Sequence, residues 1–188
     1  RIPKQPDAGL GQLALNECNR MAGLTRNLRD FYRPSSGDSV FLNIHSAIDD
    51  MALLCHKKFQ SINIVMEKRY AEDLPKIKAV SDQVKQVILN LLQNAEEAIP
   101  NEGGKIVVST ENQDGWIKVH IQDSGCGIQP DQIKSVFDPF YTTKSAVKGT
   151  GLGLSVSYGI MQAHGGKIEV TTRPNEGTTF TLLFPINV

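Results

Sequence analysis

Three glycines, Gly149, Gly151 and Gly153, alternate with other residues immediately before an apolar helical pattern that begins at Leu154. Glycines at a helix start leave backbone N–H groups unpaired and uncovered by side chains, at the positive end of the helix dipole. Such a start favours a phosphate or another anion. The spacing is not the Walker pattern, and no strand precedes it as a dinucleotide fingerprint requires. A flexible, glycine-rich surface loop is the alternative interpretation.

Helical and extended patterns alternate along the chain. The strongest helical stripe runs from Val84 to Ile99 and ends at Pro100. Asp114-Gly115 predicts a β-hairpin, and Gly165-Gly166 is a typical helix end. Helices interleaved with hairpins favour an α/β fold, a two-layer sandwich of a mixed, largely antiparallel sheet packed on helices. The predicted strands are 40–42, 62–67, 105–110, 116–122, 167–172 and 178–184, and the predicted helices are 44–58, 81–99, 130–136 and 152–164.

An amphipathic helix is predicted ahead of this region, from about Leu10 to Phe31. It either packs on its own domain or pairs with other helices in a bundle. The linker Pro34-Ser35-Ser36-Gly37 separates it from the rest of the chain and favours pairing, although its heptad seam is shorter than a coiled coil requires. We therefore expect one unit at 1–36 and a second at 37–188.

Composition argues against several classes of protein. Twenty basic and twenty acidic residues give zero net charge, which does not favour nucleic acid or anionic lipid as a partner. No apolar run approaches the roughly 18 residues of a membrane span, and the start of the chain does not resemble a signal peptide. Cys18, Cys55 and Cys126 are odd in number, widely spaced and without a CxxC pair, which argues against a disulfide framework or a zinc site. We expect a cytoplasmic location for this piece, whether or not the parent protein is anchored in a membrane.

Two asparagines stand out in the strongest helix. Asn90 and Asn94 lie at i and i+4 beside the apolar stripe, and Glu97 continues their line. Asparagine is a mediocre helix former, and an unpaired amide near a core costs roughly 1–3 kcal/mol. Side-chain carbonyls are hard oxygen ligands that suit Mg²⁺. The alternative is a pair of ordinary amides on a helix surface.

The segment DSGCGI (123–128) comes directly after an alternating strand, so a turn presents Asp123. Its carboxylate could accept a hydrogen bond from an exocyclic amino group such as that of adenine. Gly125 and Gly127 would let a flat base lie against the backbone. Alone, the pattern is weak, because Asp-x-Gly is common in ordinary turns. Cys126 lies in this predicted pocket, either as a redox sensor or, more simply, as a small tolerated residue.

Taken together, these motifs resemble those of the catalytic, ATP-binding domain of sensor histidine kinases, in the superfamily with gyrase, the heat-shock chaperone ATPase and MutL-type proteins. The likeness covers about residues 40–188, and its wording is most similar to nitrogen-regulation-type kinases. The helix at 10–31, with its tail RNLRDFYRP, resembles the second helix of the dimerisation and phosphoacceptor hairpin. The motifs are NLLQNAEEA (90–98), DSGCGI (123–128), FDPFYTTK (137–144), GTGLGLS (149–155), HGG (164–166) and EGTTFTL (176–182).

The resemblance implies a Bergerat-type fold and a site for ATP and Mg²⁺. Asn94 would ligate Mg²⁺, Asn90 would lie near the phosphates, and Asp123 would accept from the adenine amino group. Phe137 and Phe140 would anchor the lid over the nucleotide by packing. The catalytic residues would be Asn90, Asn94 and Lys144. The cofactor would contact Asn90, Asn94, Asp123, Gly125, Gly127, Ile128, Lys144, Gly149, Thr150, Gly151, Leu152, Gly153 and Thr178.

Two departures from the family pattern matter. Hydrolytic members carry a water-activating glutamate four residues before the metal asparagine, where this chain has Asn90. That disfavours an ATPase and favours a site that holds ATP for phosphoryl transfer. None of the histidines lies in a phosphoacceptor box, so the acceptor is expected upstream and the chain looks like a truncated kinase core. They are His45, His56, His120 and His164.

The expected function is therefore transfer of the γ-phosphoryl group of ATP to a histidine, for relay to a response regulator receiver domain. The expected partners are the phosphoacceptor hairpin and, in the full-length protein, a second copy of the chain. Contact of this piece with nucleic acid or membrane is not expected. Two alternatives stay open: a non-catalytic ATP-binding or dimerisation module, and a serine-directed kinase of the same superfamily.

Overall fold

The computed structural model describes residues 37–143 and 150–186, together with four helical positions, Gly11, Gln12, Leu15 and Cys18. The predicted helix at 10–31 otherwise lies outside the described residues. Described strands are β1 (Val40–Leu42), β2 (Ile64–Arg69), β3 (Ile77–Ala79), β4 (Gly104–Gln113), β5 (Trp116–Asp123), β6 (Lys167–Arg173) and β7 (Gly177–Pro185). The α-helices after the linker are α1 (Ile44–Ser61), α2 (Ser81–Ala98) and α3 (Gly153–Ala163), and a short 3₁₀-helix spans Ile133–Ser135.

Five strands form an open sheet in the order β2-β4-β5-β7-β6. β2 and β4 are parallel, and every other neighbouring pair is antiparallel. The predicted mixed, largely antiparallel sheet is therefore confirmed. β1 and β3 pair separately as a small two-stranded sheet.

The helices cover one face of the large sheet, and α2 lies at the centre of the helical layer, in contact with α1, α3 and β5. Its stripe is fully buried at Ile88, Leu91 and Leu92, and alternate residues of β5, such as Val119, are buried on the sheet side. The apolar residues that recur every 3.6 positions in the helix therefore pack against those that alternate in the strand, and together they form one core. This packing fixes α2, whose next face carries the asparagines.

Local turn chemistry explains most boundaries. Asp114 and Gly115 both have positive φ, as a two-residue hairpin turn with the twist of its strands requires. Asn43 caps α1, because its side chain accepts from the backbone N–H of His45 at 2.9 Å. The strand predicted from residue 62 begins instead at Ile64, since Asn63 is left-handed and belongs to the turn after α1.

No helix among the residues that the structure describes is long and apolar enough to cross a membrane.

Candidate functional site

A cavity of about 450 Å³ opens between the C-terminal half of α2, the end of β5 and the start of α3. This volume is in the range of small-molecule sites. Its walls include nine of the predicted residues: Asn90, Asn94, Asp123, Gly127, Ile128, Thr150, Gly151, Gly153 and Thr178.

Asp123, the last residue of β5, lies at the base of the cavity and is only 4% exposed. One carboxylate oxygen, Oδ1, accepts from the backbone N–H of Gly125 at 2.8 Å and of Thr178 at 3.3 Å. Burial raises the pKa of Asp123, and these two backbone hydrogen bonds offset part of the rise. With Oδ1 held by the backbone, Oδ2 is the end that remains to accept from a ligand.

Thr178 lies beside Asp123 and belongs to a small hydroxyl network. The Thr172 hydroxyl donates to the carbonyl of Gly177 at 3.0 Å and accepts from the N–H of Ile128 at 2.9 Å. The two threonine hydroxyls lie 3.0 Å apart. Because the proton of Thr172 is donated to Gly177, Thr178 is the donor in this hydrogen bond and Thr172 is the acceptor. Thr178 Oγ1 can then offer only acceptor lone pairs to the cavity.

Gly127 shapes the wall opposite α2 through its backbone. Its φ is +68°, and a Cβ at this position would lie 2.1 Å from the carbonyl oxygen of Arg173. Only glycine fits such a position. The loop after β5 is thereby pressed against the end of β6, and Gly127 lines the cavity without a side chain.

On the other side of the cavity, Asn90 ties α2 to α3. Its Nδ2 donates to the carbonyl of Gly153 at 3.2 Å and contacts Ser157 Oγ at 3.3 Å. Because the donor end of the amide is engaged, its carbonyl oxygen is the end left for a ligand. An amide cannot act as a general base, so this position cannot activate water for hydrolysis.

Asn94, one turn further along α2, has a buried Nδ2 without a hydrogen-bond partner. A buried unsatisfied amide lowers the free energy of unfolding by roughly 1–3 kcal/mol, so Asn94 destabilises the ligand-free protein. The two ends of an amide exchange by rotation about χ2, so Asn94 can turn its oxygen to a cation. No group of three or more His, Cys, Asp or Glu side chains in the described part of the chain could hold a metal ion. Asn94 fits Mg²⁺, which takes few protein ligands and completes its shell with phosphates and water.

The start of α3 forms the third wall. Its N-cap is Leu152, and no side chain caps the helix. The first N–H groups of α3 therefore remain for an anion, and Gly151 and Gly153 line the cavity without side chains to cover them.

A family model described as "Histidine kinase-, DNA gyrase B-, and HSP90-like ATPase" matches residues 79–188. The chain belongs to this family. The matched residues include every wall of the cavity, from α2 to β7.

Relatives and solved structures narrow the likeness to histidine kinases. The chain is 34% identical to the sensor histidine kinase ZraS of Escherichia coli K12 over 179 residues, which are 95% of this chain and 38% of ZraS. It is 35% identical to the sensory histidine kinase/phosphatase NtrB of Azospirillum brasilense over 97% of this chain and 48% of NtrB. The chain thus spans less than half the length of these relatives.

The solved catalytic domain of histidine kinase ThkA superposes with a TM-score of 0.71 at 35% identity, covering 79% of this chain and 95% of that domain. ThkA has also been solved in complex with the response regulator TrrA; that structure matches at a TM-score of 0.79 and 26% identity, over 100% of this chain and 53% of that one. The family, the fold and the histidine kinase resemblance predicted from the motifs are confirmed.

An aromatic turn precedes the mouth of the cavity. Phe137 packs on the core, with its ring 5.6 Å from that of Tyr158 and 6.5 Å from that of Phe180. The expectation that Phe140 packs as well is wrong, because the residue is 63% exposed. Phe140 instead contributes its backbone: its N–H donates to the carbonyl of Gly151 at 2.9 Å, and its φ is +66°.

Four residues of the predicted cofactor site are not among the nine that line the cavity. Gly125 does not line the cavity; it packs against the end of α2, and its N–H holds Asp123. Leu152 is buried in the core, so only its backbone is available to a ligand, whereas Leu154 lines the cavity. Lys144 and Gly149 lie outside the described residues.

Sequence reasoning missed several walls of the cavity. Tyr141, Thr142 and Thr143 come after the aromatic turn and line the mouth, where the motif FDPFYTTK was the available signal. Gln132 and Val136 come from the segment around the 3₁₀-helix, and Phe180 comes from β7. Phe180 lies within the motif EGTTFTL, whereas no named motif contains Gln132 or Val136, which only the tertiary fold brings to the cavity.

The four histidines all belong to the described part of the chain, and none of them lines the cavity. His45 stacks on Tyr70 at 4.2 Å and contacts Thr110, and His120 contacts Thr181. His164 contacts Val80 and Ile160.

Proposed function

We propose that this chain binds ATP with Mg²⁺ and transfers the γ-phosphoryl group to a histidine outside the described site, for relay to an aspartate of a response regulator receiver domain. The observation that carries the proposal is the composition of the cavity. A buried carboxylate, Asp123, lies at one end, and an amide pair, Asn90 and Asn94, faces an uncapped helix start at the other. Position 90 offers no base to activate water.

The nucleotide would lie along the cavity in a single direction. The adenine amino group would donate to Asp123 Oδ2, with Thr178 Oγ1 as a second acceptor beside it, and the base would lie against the backbone at Gly127. The triphosphate would reach the start of α3, where Thr150, Gly151 and Gly153 line the cavity. We propose that Lys144 and Gly149 add contacts to the phosphates from the lid.

Bound Mg²⁺ would neutralise charge that develops on the phosphates, and Asn94 would hold it, with Asn90 beside it. In the transfer step, an imidazole nitrogen of the acceptor forms a bond to the γ-phosphorus. The bond between that phosphorus and the β,γ-bridging oxygen breaks, ADP leaves with the electron pair, and the imidazole loses its proton. The chain's residues act here by positioning and by electrostatics.

The remaining parts of the proposal concern the parent protein. Residues 1–36 would be a remnant of the dimerisation and phosphoacceptor hairpin, and residues 37–188 the ATP-binding domain. The full-length protein would be a homodimer, and this domain would work on the cytoplasmic side, where ATP is available. The ThkA–TrrA complex supports a receiver domain as the later partner.

The test supplies the missing acceptor in trans. The chain is incubated with γ-labelled ATP, Mg²⁺ and a phosphoacceptor hairpin, and an Asn94→Ala variant serves as the inactive control. Label on the hairpin that is stable to base and labile to acid supports the proposal. ATP binding without transfer identifies a binding module, acid-stable label identifies a serine-directed kinase, and either result overturns it.

A further inference from the structure

His164 lies at the C-terminal end of α3 and reaches across to the start of α2. Its Nε2 lies 3.0 Å from the backbone N of Val80, which is the N-cap residue of α2. Its Nδ1 lies 2.8 Å from the carbonyl oxygen of Ile160 in its own helix. Both ring nitrogens are therefore engaged.

These partners determine the tautomer. The carbonyl of Ile160 can only accept, so Nδ1 carries the proton. The N–H of Val80 can only donate, so Nε2 must present its lone pair. The contact with Val80 therefore requires a neutral imidazole with its proton on Nδ1.

This contact is a hydrogen-bonded junction between α2 and α3. Asn90 and Gly153 form another one, at the opposite end of α3. At about 1.5 Å per residue, the junctions are separated by roughly 15 Å along α2 and roughly 16 Å along α3. The nearly equal lengths let both form at once between antiparallel helices.

The start of α2 carries no side-chain cap of its own at Val80, so His164 supports it from the neighbouring helix. If the contact with His164 is lost, no hydrogen bond from that side chain holds the start of α2 to the end of α3, and the register depends on the packed core and on the junction at Asn90, which is also a wall of the cavity. Any shift of α2 along α3 then changes the position of Asn90 and Asn94 relative to the helix start of α3.

We infer that His164 is a positioning residue for the ATP site: it fixes the register of α2 against α3 and thereby the placement of Asn90 and Asn94. The inference rests on the proposed nucleotide function of the cavity. His164 does not line the cavity, yet it would affect the affinity of the cavity for ATP.

Two substitutions at His164 separate positioning from simple space-filling. His164→Gln places a side-chain oxygen near the former Nε2, where it can accept from Val80. His164→Asn places its polar group near the former Nδ1 and loses that acceptor. We expect ATP affinity about three- to tenfold weaker in His164→Asn, the effect of one neutral hydrogen bond, and within about twofold of the parent in His164→Gln.

Val80→Pro tests the same contact from the donor side and is the second variant if His164→Asn does not fold. Proline lacks the N–H, fits the φ of −80° at Val80, and comes after Ala79, which is extended as proline requires. It should weaken ATP binding as much as His164→Asn does, and the double variant should be no weaker than either. His120→Asn makes the same substitution on a strand of the sheet, at a residue that does not line the cavity, so it is the matched control and should bind ATP like the parent.

Affinity is measured by calorimetry on the whole chain, at a temperature where circular dichroism shows each variant to be folded. The side-chain amide resonance of Asn90, assigned with an Asn90→Asp variant, should shift in His164→Asn and Val80→Pro and stay in place in His164→Gln. Parent-like affinity in His164→Asn and Val80→Pro, or an equal loss in the Gln and Asn variants, overturns the inference. Failure of the parent chain to bind ATP overturns the proposed function instead.

Discussion

Replacing Asp123 with asparagine should weaken ATP binding and, at the same time, stabilise the ligand-free protein. Asp123 is 4% exposed, and its carboxylate oxygen Oδ1 is held by two backbone N–H groups. Asparagine can keep both of these bonds through its own Oδ1. What changes is the atom that faces the cavity, where an acceptor oxygen becomes an NH₂ donor.

The loss of affinity results from that exchange. A hydrogen bond to a charged group contributes about 1.5–3 kcal/mol, and leaving the amino group of adenine opposed to a second donor adds roughly 1–3 kcal/mol. Together these predict ATP binding weaker by about two to four orders of magnitude. The affinity for GTP should fall less than that for ATP, because guanine has an oxygen in place of the amino group, and this oxygen can accept from the new NH₂ group.

The effect on stability has the opposite sign. Burial raises the pKa of Asp123 in the folded protein, so the folded state binds the proton more tightly than the unfolded state does. The contribution of Asp123 to the free energy of unfolding is therefore largest below its unfolded pKa and falls as pH rises through its folded pKa. Asparagine has no proton to lose, so the stability advantage of Asp123→Asn should grow with pH across that window.

The assay pairs calorimetric titration of ATP and GTP with denaturant unfolding at pH 4 to 8, and Asp73→Asn, at an exposed position, is the control for the same chemical change. Unchanged ATP affinity in Asp123→Asn would remove this residue from the base site. A variant that is less stable than the parent at pH 7 would contradict the account of its burial.

Three further substitutions test other walls of the site. Thr178→Val should weaken ATP binding by about fivefold through loss of one neutral hydrogen bond, measured by calorimetry, and parent-like affinity would contradict its role as an acceptor. Asn94→Ala should abolish the strengthening of ATP binding by Mg²⁺ without lowering the melting temperature, since its Nδ2 has no protein partner; persistence of the Mg²⁺ effect would refute the ligand assignment. Gly127→Ala should lower the free energy of unfolding, measured with denaturant, by about 2 kcal/mol or more, because its Cβ would meet the carbonyl of Arg173. Gly159→Ala, which has open space around it in a helix, should raise that free energy by up to about 1 kcal/mol. Equal stability of the two glycine variants would contradict the strained turn.

Elements that are determined by residues close together in the sequence were predicted well. The stripe of α2, the hairpin at Asp114-Gly115 and the glycine end of α3 each depend on residues close in the chain. β3 was missed, because a strand of three residues exists only through its pairing with β1. The parallel pairing of β2 with β4 was not foreseen either, since α2 separates them in sequence and only the packed core brings them together.

Within the site, motifs identified the residue types more reliably than their orientations. The asparagine pair was found because it runs against the preference of a helix, which is common at functional positions, and Asp123 was found because it directly follows an alternating strand. Whether Leu152 or Leu154 lines the cavity depends on where α3 begins. Because α3 begins at Gly153, the side chain of Leu152 is buried in the core. The resemblance implied that Phe140 anchors the lid by packing, yet its backbone is left-handed and the residue is exposed.

The most direct test of the ATP site is a crystal structure of the chain with Mg²⁺ and a non-hydrolysable ATP analogue. The account predicts the exocyclic amino nitrogen at about 3 Å from the Asp123 carboxylate, the triphosphate at the start of α3 and the metal ion on the Asn94 oxygen. A base bound away from Asp123, or a triphosphate that does not reach α3, would contradict it.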